Sequence, residues 1–180
     1  EINKLAQWEI VSGTWLLHTA AEESLLNASK TKPKPKKKGK GLPEPARSPN
    51  FFSLMGSGTN SVITSGYAFY DSYSAEASVQ TRPGEMGVVF YLDKPGSYRA
   101  FTLSISEDSL QATLQLWKTA DSAATREVMA AATTELTGGQ WIKLRVKTSQ
   151  DRVQCFMDNI KVFDSRTGLP PGGKFGLFVN

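Results

Sequence analysis

Cysteine and histidine each occur once, as Cys155 and His18. A thiolate–imidazole dyad would need these two residues to meet. Cys155 shares the alternation of Val153 and Met157, opposite Gln154, Phe156 and Asp158, which reads as a small core residue rather than a nucleophile. A lone cysteine also excludes an internal disulfide framework and the usual cysteine zinc sites. Hard-cation chemistry would fall to aspartates. Asp71, Asp93, Asp108, Asp121, Asp158 and Asp164 lie near predicted turns, where oxygen ligands for calcium are often placed. No Asp-x-Asp loop is present, and Asp forms turns on its own account. The expectation is no metal and no cofactor, with calcium the one ion this pattern could serve.

The charge is unevenly spread. Lys30, Lys32, Lys34, Lys36, Lys37, Lys38, Lys40 and Arg47 face only Glu44 across residues 30–47, a surplus of seven positive charges. The whole chain carries +4, so the remainder carries −3. Any attraction to a polyanion or an acidic partner must come from that segment. Its Lys, Pro and Gly content leaves too little apolar surface to offset ordering, so a solvated loop is the plainer reading. No aromatics are interleaved between residues 30 and 50, which argues against nucleic acid as the ligand.

What would position these groups is a set of short strands. The clearest is Trp141 to Asn159, where Ile142, Leu144 and Val146 alternate with Lys143, Arg145 and Lys147. After a polar turn Val153, Cys155 and Met157 alternate in the same way. Period-two alternation on both sides of a short turn predicts an antiparallel hairpin with one face buried. Lys161 to Asp164 follows as a third short strand. Upstream, Gln7–Ser12 predicts a strand, Gly13-Thr14 a turn and Trp15–Thr19 the return. Ser24–Ala28 is a further short strand. Phe51–Met55, Ser61–Thr64 and Tyr73–Thr81 come next. Met86, Val88, Phe90 and Leu92 share one face, as do Phe101, Leu103 and Ile105, and Leu110, Ala112, Leu114 and Leu116. Thr125–Thr134 is weaker, and its alanines also suit a helix. Pro170-Pro-Gly-Gly173 precedes a last strand, Lys174–Val179.

Ten to thirteen strands without a convincing helix predict two packed antiparallel sheets. A chain of 180 residues is long enough for one such domain, 1–180, with a Lys/Pro-rich insertion at 29–49. No apolar run approaches the length of a membrane-spanning helix. With Val88, Phe90, Phe101, Leu103, Leu114 and Leu116 turned inward, the opposite face presents Tyr91, Tyr98, Thr102, Thr113, Gln115 and Trp117. Exposed Tyr and Trp could stack on sugar rings, with Thr and Gln as hydrogen-bonding groups. The alternative is that loops or the insertion cover this face, or that Trp117 seals an edge.

The order of local features has a family character. Trp8-x-x-x-x-Gly13-x-Trp15 opens the chain, and Tyr70-Asp-Ser-Tyr-Ser-Ala-Glu76, Gly87-Val-Val-Phe90 and Ser97-Tyr-Arg-Ala-Phe-Thr-Leu103 follow. Trp141-Ile-Lys-Leu-Arg-Val146, Val153-x-x-x-x-Asp158-Asn159 and Gly173-Lys-Phe-Gly-Leu-Phe178 complete the set. Together they resemble the concanavalin A-like lectin/glucanase superfamily, in particular its laminin-G-like and glycoside-hydrolase-16-like modules. The resemblance implies an all-β, two-sheet antiparallel jelly-roll sandwich, with a concave face that can hold a glycan. It also implies an extracytoplasmic setting, whether secreted, periplasmic or at the cell surface.

Hydrolases of this superfamily carry Glu-x-Asp-x-x-Glu or a near variant on one strand, because retaining hydrolysis needs two carboxyl groups roughly 5 Å apart. Glu76 is followed by Ala77 and Ser78, and Glu107 and Asp108 are adjacent, so the motif is missing. The sequence therefore points to a non-catalytic recognition or assembly module. It would bind a glycan on the concave sheet, or a protein partner through loops and the basic insertion. A divergent glycoside hydrolase and a structural subunit of a larger surface complex are the alternatives.

Overall fold

A computed structural model describes residues 7–19, 52–94, 96–106, 111–119, 125–136, 138–166 and 172–180. Eleven strands make up the described chain: β1 (Trp8–Thr19), β2 (Phe52–Ser65), β3 (Ser74–Gln80), β4 (Gly84–Lys94), β5 (Ser97–Ile105) and β6 (Gln111–Thr119), then β7 (Arg126–Glu135), β8 (Trp141–Ser149), β9 (Arg152–Met157), β10 (Ile160–Arg166) and β11 (Lys174–Val179). They form a seven-stranded sheet, β1-β2-β11-β4-β5-β6-β7, and a four-stranded sheet, β10-β9-β8-β3. Every pairing is antiparallel. These are the two packed antiparallel sheets that the strand pattern predicts, arranged as the jelly-roll sandwich that the family resemblance implies. The last strand lies inside the large sheet, between β2 and β4.

The core forms where alternation predicts it. Leu144, Val146, Val153 and Cys155 of the small sheet meet Val88, Phe90, Phe101, Leu103, Leu114 and Leu116 of the large one. All ten are buried. Each such aliphatic or aromatic side chain contributes about 1.5–3 kcal/mol by leaving water.

Three sequence expectations change. Gly13-Thr14 does not turn the chain: β1 runs through it, and the register with β2 shifts around Ser12. Gly13 has φ 76°, and a Cβ there would overlap the Ser61 side chain, so the glycine marks a bulge within a strand rather than a hairpin. Phe52–Met55 and Ser61–Thr64 likewise belong to one strand, β2, which runs through Gly58 and Asn60 at positive φ; Phe51 lies outside the described residues. The third change is at Tyr91, a non-glycine residue at φ 54°. The pairing of β4 with β5 and with β11 shifts beyond Phe90 and Val89. One extra residue there turns the Tyr91 ring inward and sends Leu92 to the opposite face, away from Phe90. Thr125–Thr134 is strand rather than helix, since β7 pairs with β6 along its length. The predicted strand Ser24–Ala28 lies outside the described residues.

Candidate functional site

The outward face of the seven-stranded sheet is closed by its own side chains. Trp117 and Thr102 are fully buried, and Tyr98 and Tyr91 are 4% and 8% exposed. The expected open platform of Tyr91, Tyr98, Thr102, Thr113, Gln115 and Trp117 therefore does not form. Tyr91 has left this face altogether, and Thr113 and Gln115 are half-buried.

The reason is the pattern of small residues between two large ones. Trp117 on β6 and Phe178 on β11 are separated by β4 and β5, a span of about 14 Å at usual strand spacing. Gly87 and Ala100 occupy the intervening face and leave it low. Trp117 and Phe178 lie across the gap with ring centroids 5.4 Å apart, and Trp117 Nε1 donates to Thr102 Oγ1 at 3.0 Å. Tyr98, Val62, Val89 and Leu92 complete this second apolar cluster. Arg126 closes it, with its guanidinium 4.3 Å from the Trp117 ring and 5.1 Å from Phe178.

The carboxylates on the two sheets are held apart and paired. Glu85 accepts two hydrogen bonds from Arg126 Nη1, at 2.9 and 2.6 Å, and Arg126 Nη2 donates to Asn60 Oδ1 at 2.6 Å. Glu76 is on the other sheet, beside Lys143 at 3.4 Å. Glu107 and Asp108 lie outside the described residues, as do Asp121 and the basic segment with Lys30, Lys32, Lys34, Lys36, Lys37, Lys38, Lys40 and Arg47. No group of three His, Cys, Asp or Glu side chains converges among the described residues. Asp158 serves a turn: its Oδ1 accepts the Lys143 N–H at 2.8 Å. Asp164 stands within β10 rather than in a turn. Cys155 is enclosed in the core, where burial pushes its thiol far up from its ordinary pKa; His18 is on β1, in the other sheet.

The aromatic surface that is open lies elsewhere. The link from β2 to β3, residues 66–73, carries Tyr67, Phe69, Tyr70 and Tyr73. Tyr67 is 61% and Phe69 76% exposed, and their rings stack at 5.2 Å and 12°. Tyr70 stands edge-on to both. The link is tied down. Tyr70 N donates to Tyr67 O at 3.2 Å, and Gly173 N to Tyr70 O at 3.0 Å. Tyr73 N donates to Thr148 Oγ1 at 3.1 Å, and the Tyr73 hydroxyl accepts the Tyr91 N–H at 3.0 Å. Burial raises the Tyr73 phenol well above its usual range, so it stays neutral. Behind it Tyr91 is raised by burial and drawn back by Thr148 and Arg99, and the Arg99 guanidinium lies 5.6 Å from the Tyr91 ring. Exposed rings are thus mounted on a buried, hydrogen-bonded base.

At the far end of β3 a groove of about 460 Å³ opens between the sheets. Trp15, Leu54, Val79, Met86 and Trp141 wall it, and Arg82 at its rim donates to Gln80 Oε1 at 2.6 Å. Sequence reasoning missed both features. The signal for the first was present: four aromatics within Tyr67–Tyr73, in a stretch with no alternation to bury them. The groove arises from packing between distant strands and has no local signal.

No protein-family model matches the sequence, and neither does any curated protein. Solved structures do match. The carbohydrate-binding module CBM66 from Bacillus subtilis superposes on 96% of this chain and 87% of its own, with a TM-score of 0.68 and 17% identity. The Crh5 transglycosylase without ligand covers 97% of this chain at a TM-score of 0.54 and 12% identity. Its complex with NAG covers 99% at the same score and identity. This chain spans only 63% and 65% of those two enzyme chains. At such identities the likeness is one of fold alone, the two-sheet antiparallel jelly-roll sandwich.

Proposed function

We propose that this domain is a non-catalytic glycan-binding module that works outside the cytoplasm and binds sugar at the tip formed by residues 66–73. The observation that carries the reading is the stacked, exposed Tyr67–Phe69 pair. Two large rings left open on a soluble domain are costly unless something covers them. Their outer faces are flat and apolar with polarisable edges, which suits the C–H face of a pyranose or furanose ring. The exposed Asp71 beside them supplies hydrogen-bond acceptors for hydroxyls. Because the base of the loop is already held by Tyr73, Thr148 and Gly173, little ordering is needed on binding. The kinship in fold with a carbohydrate-binding module agrees with this assignment. Against catalysis stands Glu85: its side chain is 10% exposed and engaged at both oxygens by Arg126.

The test is a glycan array followed by calorimetry on the best ligand. Tyr67→Ala/Phe69→Ala is expected to weaken binding at least tenfold with an unchanged melting temperature. Undiminished binding by that variant, or release of sugar products by the parent protein, would overturn the proposal.

A further inference from the structure

We infer that the outward face of the four-stranded sheet is a second binding surface, built for an acidic polysaccharide; the choice of polysaccharide rests on the glycan-binding reading above. Strand register places Lys143, Arg145, Lys147, Arg152, Lys161 and Arg166 on this one face, against two carboxylates, Glu76 and Asp164. That is a surplus of four positive charges. The other described residues hold six cations and eight carboxylates. The positive charge of the described domain is therefore concentrated on this sheet.

The pairing within the face leaves cations over. Glu76 is matched by Lys143. Asp164 serves Arg152 at 2.6 Å and Lys161 at 2.7 Å, and accepts from Gln154 at 3.0 Å as well. Arg145, Lys147 and Arg166 have no ion pair with any described carboxylate. Arg166 also stands directly opposite Arg152 across the β9–β10 ladder, and like charges in that position destabilise a sheet. Nothing in the packing requires a cation there, whereas an anionic ligand would turn the repulsion into a binding contact. The Arg145 guanidinium lies over the Phe156 ring at 4.4 Å, and its fork of N–H donors matches carboxylate or sulfate.

The shape selects among polyanions. The cations along β8 are spaced by about 7 Å, suited to an extended chain that carries one anion on each sugar or every second sugar. Base stacking needs open aromatic faces; of the two aromatics that the register places on this face, Phe156 is covered by Arg145 and Trp141 stands half-buried at the end of β8. Membrane insertion needs projecting apolar side chains, and the aromatics of this face, Trp141 and Phe156, are half-buried among charged and polar residues.

The full chain is titrated with polygalacturonate, with uncharged dextran and with duplex DNA. Polygalacturonate should bind at low salt and weaken as salt rises. Arg145→Gln/Lys147→Gln/Arg166→Gln should lose at least tenfold in affinity and show a flatter salt dependence, with no fall in melting temperature. Parent-like binding by this variant would assign the anion to the lysine-rich segment and overturn the inference; so would DNA bound as tightly as polygalacturonate. Tyr67→Ala/Phe69→Ala separates the two proposals, since it should spare polygalacturonate binding while removing the array ligand. Loss of both ligands in that variant would count against a separate basic surface.

Discussion

The Arg126 guanidinium lies over Trp117, its carbon 4.3 Å from the ring centroid, and is fixed there by hydrogen bonds to both oxygens of Glu85. The contact joins β7 to β4 across two intervening strands. It turns the sheet face that would otherwise offer a tryptophan to sugar into a sealed apolar cluster. Arg126→Ala should expose Trp117 and leave the Glu85 carboxylate with little compensation. The expected cost is about 1–3 kcal/mol of unfolding free energy, and acrylamide quenching of tryptophan fluorescence should rise. Adding Glu85→Gln to the Arg126→Ala variant should recover part of the loss. Unchanged quenching in Arg126→Ala would show that Arg126 is not what closes the face.

The same contact marks the limit of what strand alternation can tell. Leu144, Val146, Phe101 and Leu103 could be placed in the core because a period of two separates the faces of a strand whatever the rest of the fold does. Alternation put Trp117 and Tyr98 on the outward face, correctly. It could not tell that Gly87 and Ala100 would let Trp117 and Phe178 meet over them, since those four residues come from four separate strands. Leu92 failed for a local reason: a bulge at Tyr91 reverses the phase, and nothing in Phe-Tyr-Leu-Asp announces a tyrosine at positive φ. The aromatic tip had the opposite difficulty. Loops have no period, so Tyr67 and Phe69 could be recognised only as apolar residues with no strand to bury them.

Asp164 gives a handle on acid stability. Hydrogen bonds from Arg152, Lys161 and Gln154 hold its carboxyl well below the ordinary aspartate range. A depressed folded-state pKa contributes stability that is complete above the unfolded value, about 4, and is lost as pH falls through the folded value. At neutral pH the contribution is present in full. Protein unfolding followed from pH 7 to pH 2 should show Asp164→Asn losing less stability than the parent below about pH 4. The difference should be small and should shrink in high salt, because the group is exposed and screened. Parallel curves for the two proteins across this range would rule out the linkage.

Gly173 connects the fold to the aromatic tip. It sits at φ 130°, and a Cβ there would come within 2.6–2.7 Å of the Tyr91 and Leu92 backbone. Backbone cannot swing aside as a side-chain end can. The same residue donates its N–H to Tyr70 O, so the displacement would pass directly to the loop that carries Tyr67 and Phe69. Gly173→Ala should therefore cost about 3 kcal/mol or more, from strain at an unsuitable φ together with overlap. Gly138→Ala is the matched control: its added Cβ meets nothing within 4 Å and its φ lies outside the positive region, so its effect should stay within about 0.5 kcal/mol. Thermal unfolding reads the first effect. Glycan affinity, measured well below the variant's melting temperature, reads the second, and it should fall for Gly173→Ala while Gly138→Ala binds as the parent does. A Gly173→Ala protein that is destabilised yet binds glycan at full strength would separate the strand from the tip and remove Gly173 from the support of the site.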